Sequence, residues 1–149
     1  MQTIVKYFIA FLLSIFSHII LAQSSDEQAI RQAAVDYMES YYSSNQSQME
    51  NAIHHEVAKR HVVEREGFQL LQNMGYTELV SLTKLDGKKY AQLPDEPLKV
   101  NVEILDIDGK IASIKAGTNQ YDFYDYMHLA KMDGQWKIVN VLWDQKQKN

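Results

Sequence analysis

Two Asp-Gly pairs constrain this chain more than anything else in it. Asp108-Gly109 and Asp133-Gly134 each stand between short runs rich in β-branched and aromatic residues. A reversal of that kind needs positive φ, which glycine adopts without steric cost, so each pair predicts a hairpin. The tail is therefore expected to be a meander of neighbouring antiparallel strands: Leu98 to Asp106, Ile111 to Ala116, Tyr121 to Met132 and Trp136 to Trp143.

The part before the tail has helical spacing. Ile30, Ala33, Ala34, Tyr37, Met38 and Tyr41 form one apolar stripe, and Ser25 with Gln28 has capping-box spacing. Ser47 and Glu50 repeat that spacing ahead of Met49, Ala52, Ile53 and Val57, which predicts a shorter helix. Arg60 to Glu66 alternates around Val62 and Val63 and reads as a first strand. Phe68 to Met74 is expected to be helical and to stop at Gly75, with another short helix from Thr77 through Leu82. Asp86 to Pro97 reads as a loop. Helices first and a meander after them indicate α+β with segregated layers, the helices packed on a strongly curved antiparallel sheet.

The first 22 residues have a different character. Lys6 precedes an apolar stretch from Tyr7 to Leu21, and Ala22 is followed by the polar run Gln23 to Glu27. This is the pattern of a signal peptide cleaved near Ala22. The stretch is shorter than the roughly 20 residues that span a bilayer. The expectation is an exported domain, 23–149, without stable membrane insertion after cleavage.

Net charge is −4 for the full chain, and removing residues 1–22 takes away only Lys6, leaving −5. A mildly acidic domain lacks the electrostatic footprint of a nucleic-acid binder. There is no cysteine, which excludes disulfides, thiolate catalysis and cysteine-based metal sites. No phosphate-binding glycine loop, dinucleotide fingerprint or nucleophile elbow is present.

Three groups of residues could carry chemistry. His54, His55 and His61 cluster, but Lys59 stands where a zinc-protease motif places its second histidine and would repel a cation, so no metal is expected. His54 and His55 read as a solvated helix end. Along Asp122 to His128, alternation puts Tyr124, Tyr126 and His128 on one face and Phe123, Asp125 and Met127 on the other. Either face could line a cavity. With the first inward, a histidine and two phenols do so. With the second inward, a desolvated Asp125 with a raised pKa could carry a proton. Tyr37 and Tyr41 share a helix face and suit a pocket wall. Trp136 and Trp143 fall on opposite faces of the last strand by parity.

The opening helix Ile30 to Tyr42, the stretch His55-Glu56-Val57-Ala58-Lys59-Arg60 and the segment Tyr126 to Asn140 resemble the nuclear transport factor 2-like superfamily, and within it the putative lumazine-binding and SnoaL-like groups. Members often carry His-Pro where this chain has His55-Glu56. The resemblance implies a half-open cone: helices close a bent sheet around a cavity, and many members pair through their sheets. It also implies that Tyr37 or Tyr41 with Asp125 could imitate the tyrosine–aspartate pair that isomerases of the superfamily use to hold an enolate.

These readings combine into one expectation. The domain binds an unidentified small molecule through residues drawn from Tyr37, Tyr41, His61, Tyr124, Tyr126 and Trp136. It needs no cofactor and pairs as a homodimer through the sheet. Two alternatives remain open: an interaction domain without a ligand, or a lyase or isomerase with Asp125 or His128 as base.

Overall fold

The computed structural model describes residues 25–90 and 96–146, with side chains described outside 86–90. The expected signal peptide, with its cleavage near Ala22, lies outside the described residues. Helix α1 (25–43) turns its Ile30, Ala33, Ala34, Tyr37 and Met38 face into the core, as its spacing requires. Ser44 takes positive φ and lets the chain double back into α2 (Gln46–Ala52). The cap of α2 is Asn45, whose side chain accepts from the Gln48 N–H at 3.2 Å, and not the expected Ser47.

Six strands follow, interrupted by one helix: β1 (Ile53–Arg65), β2 (Phe68–Gly75), α3 (Tyr76–Tyr90), β3 (Val100–Asp108), β4 (Ile111–Thr118), β5 (Phe123–Met132) and β6 (Gln135–Gln145). They form one curved sheet in the order β2-β1-β6-β5-β4-β3. The tail from β3 to β6 is the expected run of antiparallel neighbours. The sheet as a whole is mixed, because β1 lies parallel to β6. That ladder joins the two halves of the chain.

Three expectations change. First, β1 starts seven residues earlier than the alternation suggested, so His54 and His55 open a strand and do not end a helix. Second, Phe68 to Met74 is strand β2, not helix. Glu66 and Gly67 both take positive φ, as a type I′ turn demands, and fold β2 back onto β1 with Val63 opposite Leu70. Gly75 closes that strand, and α3 follows through Tyr90, so the helix runs past Leu82 and takes up the first part of the stretch expected as a loop from Asp86 to Pro97. Third, Trp136 and Trp143 share the helix-facing side of β6. His128 pairs with Asn140 but Leu129 pairs with Ile138, so Val139 is an extra residue in β6. Such a bulge inverts the alternation beyond it.

The core lies between the helices and one sheet face. Ile30, Met38, Met49 and Leu79 from the helices meet Ile114, Met127, Leu129, Ile138 and Val141 from the strands. The chain is an α+β domain with helices packed on a strongly bent sheet.

Candidate functional site

The bend of the sheet leaves a cavity of about 220 Å³ where α1, β1, α3, β5 and β6 converge. Its walls are largely rings: Tyr37, Tyr41 and Tyr42 from α1, Tyr121 and Phe123 around the start of β5, and Trp143 from β6. Met38, Met74, Leu79 and Leu82 complete the apolar lining, and Lys59 and Asp125 supply its charge. Tyr42 and Tyr121 stack with ring centroids 4.4 Å apart and planes 3° from parallel, which fixes one wall.

Sheet register explains how two charges reach an aromatic cavity. Asp125 is the strand partner of Trp143 on one side and Ala116 on the other, so its side chain shares the inner face. In β1, Val57, Lys59 and His61 alternate inward while Arg60 and Val62 point out. Lys59 Nζ then lies 3.1 Å from Asp125 Oδ2 and donates to the Tyr37 hydroxyl at 2.8 Å. The ammonium also sits 5.2 Å from the Tyr37 ring centre and 5.4 Å from that of Trp143. Asp125 is fully buried, and Lys59 keeps 15% of its side chain exposed.

Burial drives the titration of this trio. It pushes the Asp125 carboxyl above its ordinary value, against the pull of the Lys59 ammonium and the Tyr37 hydroxyl. Burial acts on Lys59 in the opposite sense, but Asp125 and Tyr37 outweigh it and hold the amine charged. The Tyr37 phenol is pushed up to about 12, chiefly by burial, so it remains protonated. Asp125 Oδ1 has no hydrogen-bond partner among the described residues, and neither has Trp143 Nε1.

Of the expected site residues, Tyr37, Tyr41 and Asp125 line the cavity. His61 packs against Trp143 with ring centres 4.4 Å apart and planes tilted by 36°, and does not itself line the cavity. Tyr124, Tyr126 and His128 lie on the opposite, outer face of the sheet. Tyr124 is flanked by Lys115 and Lys146, while His128 bonds to Asn140 at 3.3 Å. Trp136 is buried at the other end of β6, donating to Asp26 Oδ1 at 3.0 Å. These four residues are therefore not brought together with the cavity. The strand choice left open by sequence resolves toward Phe123, Asp125 and Met127, because that face must meet the helices.

Lys59, Tyr42, Tyr121 and Trp143 are the site residues that sequence reasoning missed. The signal for Lys59 was available: starting β1 at Ile53 places it on the same face as Val57. His54, His55 and Glu56 bring one candidate ligand atom each to within 4.8 Å of one another. They are consecutive residues on a solvent-facing strand start, and His54 Nδ1 already accepts from the Glu56 N–H at 3.2 Å.

The sequence profile of the putative lumazine-binding family matches residues 25–144, nearly all of the described domain. The chain belongs to the putative lumazine-binding family. Its fold is that of solved nuclear transport factor 2-like proteins. It is similar to a nuclear transport factor 2-like protein of unknown function from Shewanella baltica, at 19% identity and a TM-score of 0.66, over 84% of this chain and 97% of that one. It is also similar to a cystatin-like-fold domain of unknown function from Nostoc punctiforme, at 14% identity and a TM-score of 0.57, over 83% and 79%. A third is a ketosteroid isomerase-like protein from Erwinia carotovora, at 10% identity and a TM-score of 0.55, over 81% and 96%. At these identities the likeness is one of fold. No curated protein matches the chain.

Proposed function

We propose that this family member is an exported domain that binds a small, flat, mostly apolar molecule between α1 and the inner sheet face. The observation that carries the reading is the aromatic cavity closed at one side by the Lys59–Asp125 pair. Convergent polar groups inside an apolar pocket are the usual composition of a ligand site. A thermal-shift screen of planar aromatic fragments on residues 23–149 tests it. At least one fragment stabilises the protein, and Leu79→Trp, which fills the cavity, removes that stabilisation. No stabilising fragment would end the reading. Export itself is checked by N-terminal sequencing of the mature protein, with a start at Gln23 expected and a start at Met1 refuting it.

A second reading rests on a separate observation. Leu71 and Val62 are partners across β2 and β1, and Leu142 and Tyr126 are partners across β6 and β5 one step along the same outer face, where Val62, Leu142 and Tyr126 line one shallow depression; each of the four is at least 48% exposed. A contiguous apolar band of that kind suits an interface, and a second copy pairing sheet to sheet would cover it. Sedimentation velocity checks this: a dimer is expected, converted to monomer by Leu142→Arg. In the enzyme alternative Asp125 is the base that reaches the cavity, since His128 is on the other face. No helix among the described residues is long and apolar enough to cross a membrane.

A further inference from the structure

Two buried polar atoms without protein partners belong to neighbouring cavity residues, and they are complementary in kind. Asp125 Oδ1 is an acceptor, on a side chain with no exposed surface. Trp143 Nε1 is a donor only. The two residues are direct partners across β5 and β6, so their Cβ atoms stand roughly 5 Å apart on the same face. A buried polar group left unpaired costs about 1–3 kcal/mol, and folded proteins carry few of them. Two such groups on neighbouring residues of the cavity wall, of opposite hydrogen-bonding sense, describe the kind of edge that would satisfy both.

We infer that the ligand presents an N–H beside a C=O on the edge of a planar ring, the N–H donating to Asp125 Oδ1 and the carbonyl accepting from Trp143 Nε1. This rests on the ligand-binding reading above and narrows it to neutral cyclic amides. Net charge argues the same way. Lys59 already neutralises Asp125 through Oδ2, leaving Oδ1 free to accept but giving the pair no net charge to attract an ion. The Tyr42–Tyr121 wall accepts a flat ring face, and the cavity volume limits the ligand to about one or two fused rings.

The test uses three probes of similar size on the mature chain: 2-quinolinone, its N-methyl derivative and naphthalene. Affinities are read from quenching of tryptophan fluorescence and checked by calorimetry. 2-Quinolinone is expected to bind at least tenfold more tightly than N-methyl-2-quinolinone, because a hydrogen bond to a charged group is lost on methylation. Trp143→Phe keeps the ring but removes the N–H. It lowers 2-quinolinone affinity severalfold and leaves naphthalene unchanged. Equal binding of all three probes would overturn this inference while leaving the cavity a ligand site. Failure of all three to bind would remove both. Should Trp143→Phe not fold, the N-methyl comparison on the unmodified protein decides alone.

Discussion

Two lysine–aspartate pairs stand among the described residues, and their environments set them in opposite directions. At the cavity, Lys59 and Asp125 meet at 3.1 Å with 15% and 0% of their side chains exposed. At the other end of the sheet, Lys131 and Asp26 meet at 2.6 Å with 32% and 21% exposed. Asp26 is held below its ordinary value by hydrogen bonds from Lys131 and from the Trp136 indole, and burial opposes them only weakly. Asp125 has a lysine too, yet burial wins and its carboxyl rises. The same pair of residue types becomes a tether of α1 in one place and a charged corner of a cavity in the other. Water around the carboxylate decides which.

The largest expected effect comes from breaking the buried pair. Asp125→Ala or Lys59→Met alone leaves an unpaired buried charge and should destabilise the fold by about 3–5 kcal/mol in urea unfolding. Replacing both, as Lys59→Met with Asp125→Leu, should cost less than either single change. If Asp125→Ala costs under about 1 kcal/mol, the contrast between the two pairs fails. Asp26→Ala should cost less, about 1 kcal/mol, because its pair is partly solvated although the Trp136 N–H also loses its acceptor.

Acid sharpens the comparison further. The folded pKa of Asp26 lies below the ordinary carboxylate value, so its contribution is complete above that ordinary value and is lost as pH falls through the folded pKa. Asp125 has a folded pKa above its ordinary value. Its contribution favours folding at low pH and declines as pH rises from the ordinary value toward the folded pKa. Melting temperature against pH should therefore lose part of its acid limb in Asp26→Asn, and part of the opposing limb in Asp125→Asn. The smallest effect is that of salt. Near 1 M ionic strength, where the screening length is about 3 Å, the cost of Asp26→Ala should shrink while that of Asp125→Ala holds.

Much of this arrangement was legible in the residues. The stripe of α1, both Asp-Gly reversals and the order of the last four strands follow from local periodicity and turn chemistry, which neighbouring residues set between themselves. The segment Phe68 to Met74 was misread because its apolar spacing satisfies both a helix and a strand. The deciding signal was Glu66-Gly67, which adopts the same pair of positive φ angles as Asp133-Gly134 but is weaker in sequence. Tyr37, Tyr41 and Asp125 were identified as site residues. Tyr124, Tyr126 and His128 were chosen for their chemistry and fall on the outer face, because chemistry alone does not say which face of a strand is inward; Trp136 is on the inner face but at the far end of β6.

The sequence by itself determined the elements, their order and the residues that alternate together along β5. Tertiary structure alone decided three things: that β1 lies parallel to β6, that Val139 bulges and brings Trp143 to the inner face, and that Lys59 meets Asp125. Each is a contact between residues far apart in the chain. Its geometry depends on how a bent sheet accommodates its helices, and no pattern within one segment encodes that. The pairing of Lys59 with Asp125 spans 66 positions, and it is the contact on which the candidate site depends.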